Sequence, residues 1–333
     1  MKALVYSDWE TLEMREIAMP EPGSGEVRVK VEAAGICGSE LEAFRKHSPR
    51  RKPPLILGHE FTGIIDAVGP DANRTVGEAI VSNAIISCGT CPACKRGMAH
   101  LCVNRQLFGM HRPGAFAEYL TVPVSTLIPR PAGVSPAEAA MAEPLGNAVH
   151  ITGLLKDVKP QTSVVFGAGP IGLFTLQAIK HVFGGRVAVV DLSESRLELA
   201  TKLGADFVGG PDSNIQEWVG ETGIEVTIDA VGAEETKTAS ITWLRPGGTA
   251  VWIGLHENTS DFNAYDIILP EKKLLGSYAC TQQELGLALN WIAEGKIDAK
   301  SWTSVIPLDQ AKEGFETMVR PGPGDVKGVI VNR

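Results

Sequence analysis

The sequence predicts an α/β chain in which a doubly wound parallel sheet is inserted into a smaller β-barrel domain. Three observations carry that reading. The middle of the chain alternates short apolar runs with amphipathic stretches. A glycine-rich turn links the first such run to the first such stretch. The first third shows alternating polar and apolar residues between turn clusters instead.

A length of 333 residues suggests about two domains. With 44% apolar and 21% charged residues, the composition is that of an ordinary globular protein. The formal net charge of −8 argues against a nucleic-acid or anionic-membrane partner, since both attract a positive field. No apolar run reaches the roughly 18 residues of a membrane span. The first residues, Met1 to Asp8, turn polar too soon for a signal peptide, so a cytoplasmic location is the expectation.

Taken in order, Ala3-Leu4-Val5-Tyr6 is a strand candidate and Pro20 to Gly25 a turn cluster. Glu26 to Ala33 alternates as a half-buried strand does, and Gly63 to Gly69, Glu78 to Val81 and Phe116 to Val122 continue the β pattern. The pattern changes near Ser135, an N-cap with Glu138 three positions on. A helix from Glu143 to about Leu155 leads into the sheet domain. There Ser193 to Leu203 reads as a helix, Phe207-Val208 as a strand, Ile215 to Val219 as a helix and Val226 to Gly232 as a strand. Glu234 to Leu244 reads as a helix, Pro246-Gly247-Gly248 as a turn and Thr249 to Gly254 as a strand. Gln282 to Glu294 and Asp309 to Met318 suit helices, and Gly328 to Val331 a last strand.

The sheet domain starts with the most informative stretch. Ser163 to Phe166 is an apolar run, Gly167-Ala168-Gly169-Pro170-Ile171-Gly172 a glycine turn, and Leu173 to Val182 an amphipathic helix. Arg186 to Val190 is a second buried strand, and it ends on Asp191. Strand, glycine turn, helix, strand and acid make up a dinucleotide-binding βαβ unit. Gly167 permits a tight turn, Gly169 lets the backbone approach a pyrophosphate, and Gly172 lets helix and strand pack closely. The helix start, with Pro170 and Ile171, offers N–H groups to phosphate. Asp191 accepts ribose hydroxyls and disfavours a 2′-phosphate, so NAD is expected over NADP. Arg196, an arginine that could favour a 2′-phosphate, is expected beside the adenine or ribose instead. The turns ending the later strands, Val231-Gly232 and Ile253-Gly254, join the candidate cofactor contacts.

Six cysteines in such a chain read as metal ligands before disulfides. Cys88-x2-Cys91-x2-Cys94-x7-Cys102, in a lobe of about 86–104, can close four thiolates around Zn²⁺ and leave no position open. Cys37, in Gly35-Ile36-Cys37-Gly38-Ser39-Glu40, stands apart. His59 follows in Gly58-His59-Glu60, and Glu143 in Glu143-Pro144-Leu145. One thiol, one imidazole and one carboxylate would hold a three-ligand zinc with an open fourth position. By spacing alone, Cys37 reads equally as a small buried hydrophobe, His59 as a hydrogen-bonded histidine and Glu143 as a helix-start acid.

These motifs, in this order, resemble the medium-chain zinc-dependent alcohol dehydrogenase superfamily over nearly the whole chain. The resemblance implies a Rossmann NAD-binding domain, 147–280, inserted into a GroES-like catalytic domain formed by 1–146 and 281–333. It implies two zinc ions per chain. The catalytic zinc falls to Cys37 and His59, with Glu143 as third ligand and Glu60 as a carboxylate that exchanges with it. The structural zinc falls to Cys88, Cys91, Cys94 and Cys102. Ser39 is then the first proton acceptor, and Glu40 the partner of His59. Glu42 stands where many relatives place a relay histidine. A homodimer or homotetramer is implied, with Leu274 to Tyr278 as the pairing edge strand.

Glu143-Pro144-Leu145 resembles the branch acting on polyols, sugar-alcohol phosphates, sugar acids and threonine. The expected reaction is NAD-dependent oxidation of a secondary hydroxyl of a polyol to the ketose. A non-catalytic cofactor-binding member is the alternative. Phe44 to Lys52 carries five formal positive charges and reads as a solvated loop or as a holder of an anionic substrate group. His111-Arg112 is a second polar pair with both readings.

Overall fold

The computed structural model describes residues 1–332. They divide into two compact units, one formed by Met1–Gly146 and the stretch from Cys280 onward, the other by Asn147–Ala279. The α/β class with a parallel sheet in the second unit is the one the sequence predicts.

In the first unit, Glu26–Gly35 is the central strand. It pairs antiparallel with Glu60–Val68, Tyr119–Pro123 and Lys327–Val331. Its alternation explains its place: Val27, Val29 and Val31 are buried, while Arg28 and Lys30 turn outward. Behind it lies an aromatic cluster in which Tyr6 and Phe44 have ring centroids 5.6 Å apart, Phe44 and Phe315 5.4 Å and Phe116 and Phe315 6.3 Å. Each such burial contributes about 1.5–3 kcal/mol. The end of the chain completes this sheet, because Lys327–Val331 lies between Glu26–Gly35 and Thr303–Pro307.

In the second unit, six strands run in the order Phe207–Gly209, Arg186–Val190, Thr162–Phe166, Ile224–Asp229, Leu244–Trp252, Lys273–Gly276. Every neighbouring pair is parallel. All five residues of Thr162–Phe166 are buried, as a strand covered on both faces requires. That strand sits where the strand order reverses, the position at which such sheets bind ligands.

Several local details differ from the sequence reading. Gly38–Arg45 is a helix, a stretch to which the sequence assigned no element. It spans only two turns, too few for a clear period. The strand Leu244–Trp252 runs straight through Pro246-Gly247-Gly248, and the turn expected there is a register irregularity against Ile224–Asp229. The helix before it ends at Thr242 rather than Leu244. Thr11–Glu16 and Thr303–Pro307 are additional strands, each with too few apolar residues to stand out. Among the described residues, no helix is long and apolar enough to cross a membrane.

Candidate active site and metal centres

Cys37 caps the helix Gly38–Arg45, and the helix positions the three residues that follow it. Glu40, in the first turn, reaches back to accept a hydrogen bond from Cys37 N at 3.1 Å. The same carboxylate accepts from Gly58 N at 2.8 Å and meets His59 Nδ1 at 2.9 Å. One buried glutamate therefore ties the Cys37 turn to the Gly58-His59 turn and leaves the other imidazole nitrogen, Nε2, to a ligand. Gly58 is needed for this approach. Its φ is +103°, and a Cβ would lie 2.7 Å from the Phe116 ring. Burial alone would raise the pKa of Glu40, but His59 and Arg51 outweigh it and hold the carboxyl down at about 2. Ser39 Oγ donates to Cys37 Sγ at 3.2 Å.

The donor atoms of Cys37, His59 and Glu60 lie within 4.8 Å of one another. That set of one thiol, one imidazole and one carboxylate suits a catalytic zinc in its chemistry. Glu60 is shared. Its carboxylate also pairs with Lys327 Nζ, which donates to Ile36 O at 2.9 Å as well. A Cβ on Gly35 would lie 2.1 Å from Glu60 Oε2, so only glycine leaves room for this carboxylate. Glu143, in the first turn of Ala142–Leu154, is buried but lies outside the three-donor set. Burial, with the charge of Glu60 and against that of His59, pushes its pKa up to about 7. The sequence placed Glu143 ahead of Glu60. In the structure Glu60 falls within the 4.8 Å donor set, and Glu143 is buried near enough to feel the charges of His59 and Glu60.

The four sulfurs of Cys88, Cys91, Cys94 and Cys102 also lie within 4.8 Å of one another, and all four thiols are free. Cys91 N donates to Cys88 Sγ at 3.4 Å and Cys88 N to Cys102 Sγ at 3.3 Å. N–H donors from Thr90 and Cys91 pull the Cys88 thiol well below its usual pKa, which favours the thiolate that a metal takes. Cys91 Sγ and Cys94 Sγ stand 3.5 Å apart, far beyond the roughly 2.05 Å of a disulfide.

In the second unit, Gly167 has φ +94°, and Gly172 packs so closely that a Cβ would lie 1.8 Å from Gly167 O. Gly169 has open space where its Cβ would point, and it caps the helix Pro170–Phe183. That is a cradle fit for a pyrophosphate. Asp191 Oδ2 accepts from Ala168 N at 2.6 Å and Oδ1 from Ser193 N at 2.8 Å, which fixes the carboxylate beside the glycine turn. Arg196 is half-buried on the following helix. Asp229 accepts from Val231 N and Gly232 N, and its carbonyl from Ile253 N and Gly254 N, so one residue holds both later turns.

Two polar groups read as possible substrate contacts are engaged elsewhere. Arg112 pairs with Glu26 at 2.6 Å, and His111 Nδ1 accepts from Leu107 N at 3.1 Å. In the basic stretch, Lys46 pairs with Glu42 at 2.8 Å, so the residue in the relay-histidine position is itself tied to a lysine. Sequence reasoning missed Lys327 and did not single out Arg51 within the basic stretch. The only trace of Lys327 was a single cation in an otherwise apolar strand.

Comparison with known proteins gives the same order of parts. Residues 23–132 match the alcohol dehydrogenase GroES-like domain and 170–294 the zinc-binding dehydrogenase family. The chain is 32% identical to an L-threonine 3-dehydrogenase of Rhizobium etli, covering 98% of this chain and 97% of the relative. It is 31% identical to the L-galactonate-5-dehydrogenase of Escherichia coli K12, covering 99% and 98%. The NADH complex of the alcohol dehydrogenase RspB from Escherichia coli CFT073 superposes with a TM-score of 0.92 at 29% identity, over 99% of each chain.

Proposed function

The chain belongs to the medium-chain zinc-dependent alcohol dehydrogenase superfamily, and from that premise we propose that it oxidises a secondary hydroxyl of a polyol to the ketose with NAD⁺. The observation that carries the reading is the Cys37, His59 and Glu60 donor set beside the Ser39 hydroxyl. Cys37, His59 and one of Glu60 and Glu143 hold the catalytic zinc in this reading, and the glycine turn with Asp191 holds NAD. When bound, Zn²⁺ supplies the Lewis acidity that takes the pKa of water from about 15.7 to about 7, and NAD⁺ is the hydride acceptor. Ser39 Oγ relays the proton of the substrate hydroxyl, accepting it as its own proton passes on toward solvent. Glu40 fixes the His59 ring through Nδ1, and Lys327 answers the charge of Glu60. A carboxylate in place of a second thiolate makes the metal harder, which suits a substrate with two adjacent oxygens such as a vicinal diol.

The likeness to a threonine 3-dehydrogenase supports a second reading, with threonine as the substrate. A sugar acid or a sugar-alcohol phosphate is a variant of the first. The free thiols suit a reducing, cytoplasmic compartment.

A panel of polyols, sugar acids, their phosphates and threonine, read by NADH absorbance, tests this. Oxidation of a polyol or sugar acid is the expected result. Threonine as the best substrate would favour the second reading, and no oxidation anywhere in the panel would refute both. With the best substrate, NAD⁺ should exceed NADP⁺ by roughly tenfold or more in kcat/KM, since Asp191 repels a 2′-phosphate. Asp191→Ala should narrow that gap.

The four-cysteine lobe holds a second zinc, whose role is folding and assembly. The assembly is a homodimer or homotetramer, for which the edge strand Lys273–Gly276 and the exposed Tyr265, Ile268 and Leu269 offer a surface. Cys94→Ser should lose one zinc, lower the melting temperature and shift the oligomer on light scattering. A variant that lost that zinc with its melting temperature and assembly intact would refute the structural role. A monomeric wild type would refute the oligomer.

A further inference from the structure

We propose that Arg51 is a positioning residue for the proton acceptor Ser39, an inference that rests on the alcohol-oxidation reading above. Of the five cations between Phe44 and Lys52, only Arg51 is buried, at 5% exposure, while Arg45, Lys46, Arg50 and Lys52 are exposed. A buried guanidinium is costly unless its donors are used and its charge is answered. Both conditions hold. Nη1 donates to Ser39 O at 3.1 Å and Nε to Gly109 O at 3.2 Å. Its charge acts on the buried Glu40, the carboxylate that ties Cys37, Gly58 and His59 together.

The two carbonyls belong to two segments that are far apart in the chain. Ser39 belongs to the first turn of the helix that Cys37 caps. Gly109 backs the other turn, because a Cβ there would come within 3.0 Å of Gly58 N. A single planar fork thus braces the turn that carries Ser39 against the turn that carries His59. Holding the Ser39 carbonyl fixes the backbone from which its hydroxyl reaches toward Cys37 Sγ. A lysine keeps the charge but cannot address two carbonyls with fixed geometry. Arg51 therefore acts on the placement of the proton acceptor.

The test is a double-mutant cycle of Arg51→Lys with Ser39→Ala, run on any alcohol the enzyme oxidises, including a simple secondary alcohol. Arg51→Lys is chosen because Arg51→Met would remove the buried charge together with the fork and leave two carbonyls without their donors. In the Ser39 background, Arg51→Lys should lower kcat roughly ten- to hundredfold with zinc content and the KM for NAD⁺ unchanged. In the Ser39→Ala background, the same change should cost less than about twofold, because the hydroxyl it positions is gone. Equal losses in both backgrounds would mean a general structural role and overturn the proposal. A second readout needs no substrate: Arg51→Lys should speed amide hydrogen exchange in 37–41 and 107–110 and leave 162–190 unchanged. Unaltered exchange in the first two segments would also overturn it. Failure of the polyol panel alone does not bear on either measurement.

Discussion

His59→Ala should reduce turnover to background and remove the labile zinc while leaving the four-cysteine zinc in place. His59 is one of three donors whose atoms converge within 4.8 Å, and it is the only nitrogen among them. Its loss leaves a thiol and a carboxylate, and that carboxylate already has a cation of its own in Lys327. The loss also takes from Glu40 the hydrogen bond of its imidazole partner, and leaving a buried acceptor short of a partner costs about 1–3 kcal/mol. A lower melting temperature should therefore accompany the loss of activity. The comparison that isolates the metal is Glu143→Ala. Glu60 already stands in the donor set and Glu143 outside it, so this variant should keep most of its zinc and part of its turnover. Zinc content and turnover are measured together for both variants. Full activity in His59→Ala, or in wild-type protein stripped of the labile zinc, would falsify the open-site mechanism.

The legibility of the molecule followed the range of its interactions. The βαβ unit was readable because its parts follow one another along the chain. The glycine turn, the helix face and the acid at Asp191 each leave a local pattern. The four-cysteine lobe was readable for the same reason, since Cys88 to Cys102 closes on itself. Glu60 and Glu143 could not be ranked by spacing, because both are buried beside His59 and one of them is paired with a lysine from a distant part of the chain. Lys327 is separated from Glu60 by 267 positions and Arg51 from Gly109 by 58, and neither pairing has a local signature. Gly38–Arg45 was missed because its stability comes from the Cys37–Glu40 cap and from Phe44 packing on Tyr6 and Phe315, not from its own period. The basic stretch looked like one feature in sequence, but folding separates it into one buried brace and four exposed charges.

Ser39→Ala should slow turnover by roughly 10²–10⁴-fold, the usual weight of a general acid–base group, without disturbing the metal. The structure makes this a clean change. Ser39 lies in the first turn of Gly38–Arg45, where alanine is at least as good a helix former, so the helix should persist. Its hydroxyl makes one side-chain contact of note, the donation to Cys37 Sγ at 3.2 Å. Losing that donor leaves the thiol available to zinc, so zinc content should match wild type. The carbonyl that Arg51 grips belongs to the backbone and survives the substitution. The effect should therefore fall on kcat, with the KM for NAD⁺ unchanged, because the cofactor cradle is built from other residues. Ser39→Thr, which restores a hydroxyl on the same turn, should recover much of the loss. Zinc-replete Ser39→Ala that turns over within about twofold of wild type would show that the substrate proton leaves by another group. Glu42, whose carboxylate pairs with Lys46 at 2.8 Å, would then be the next residue to substitute.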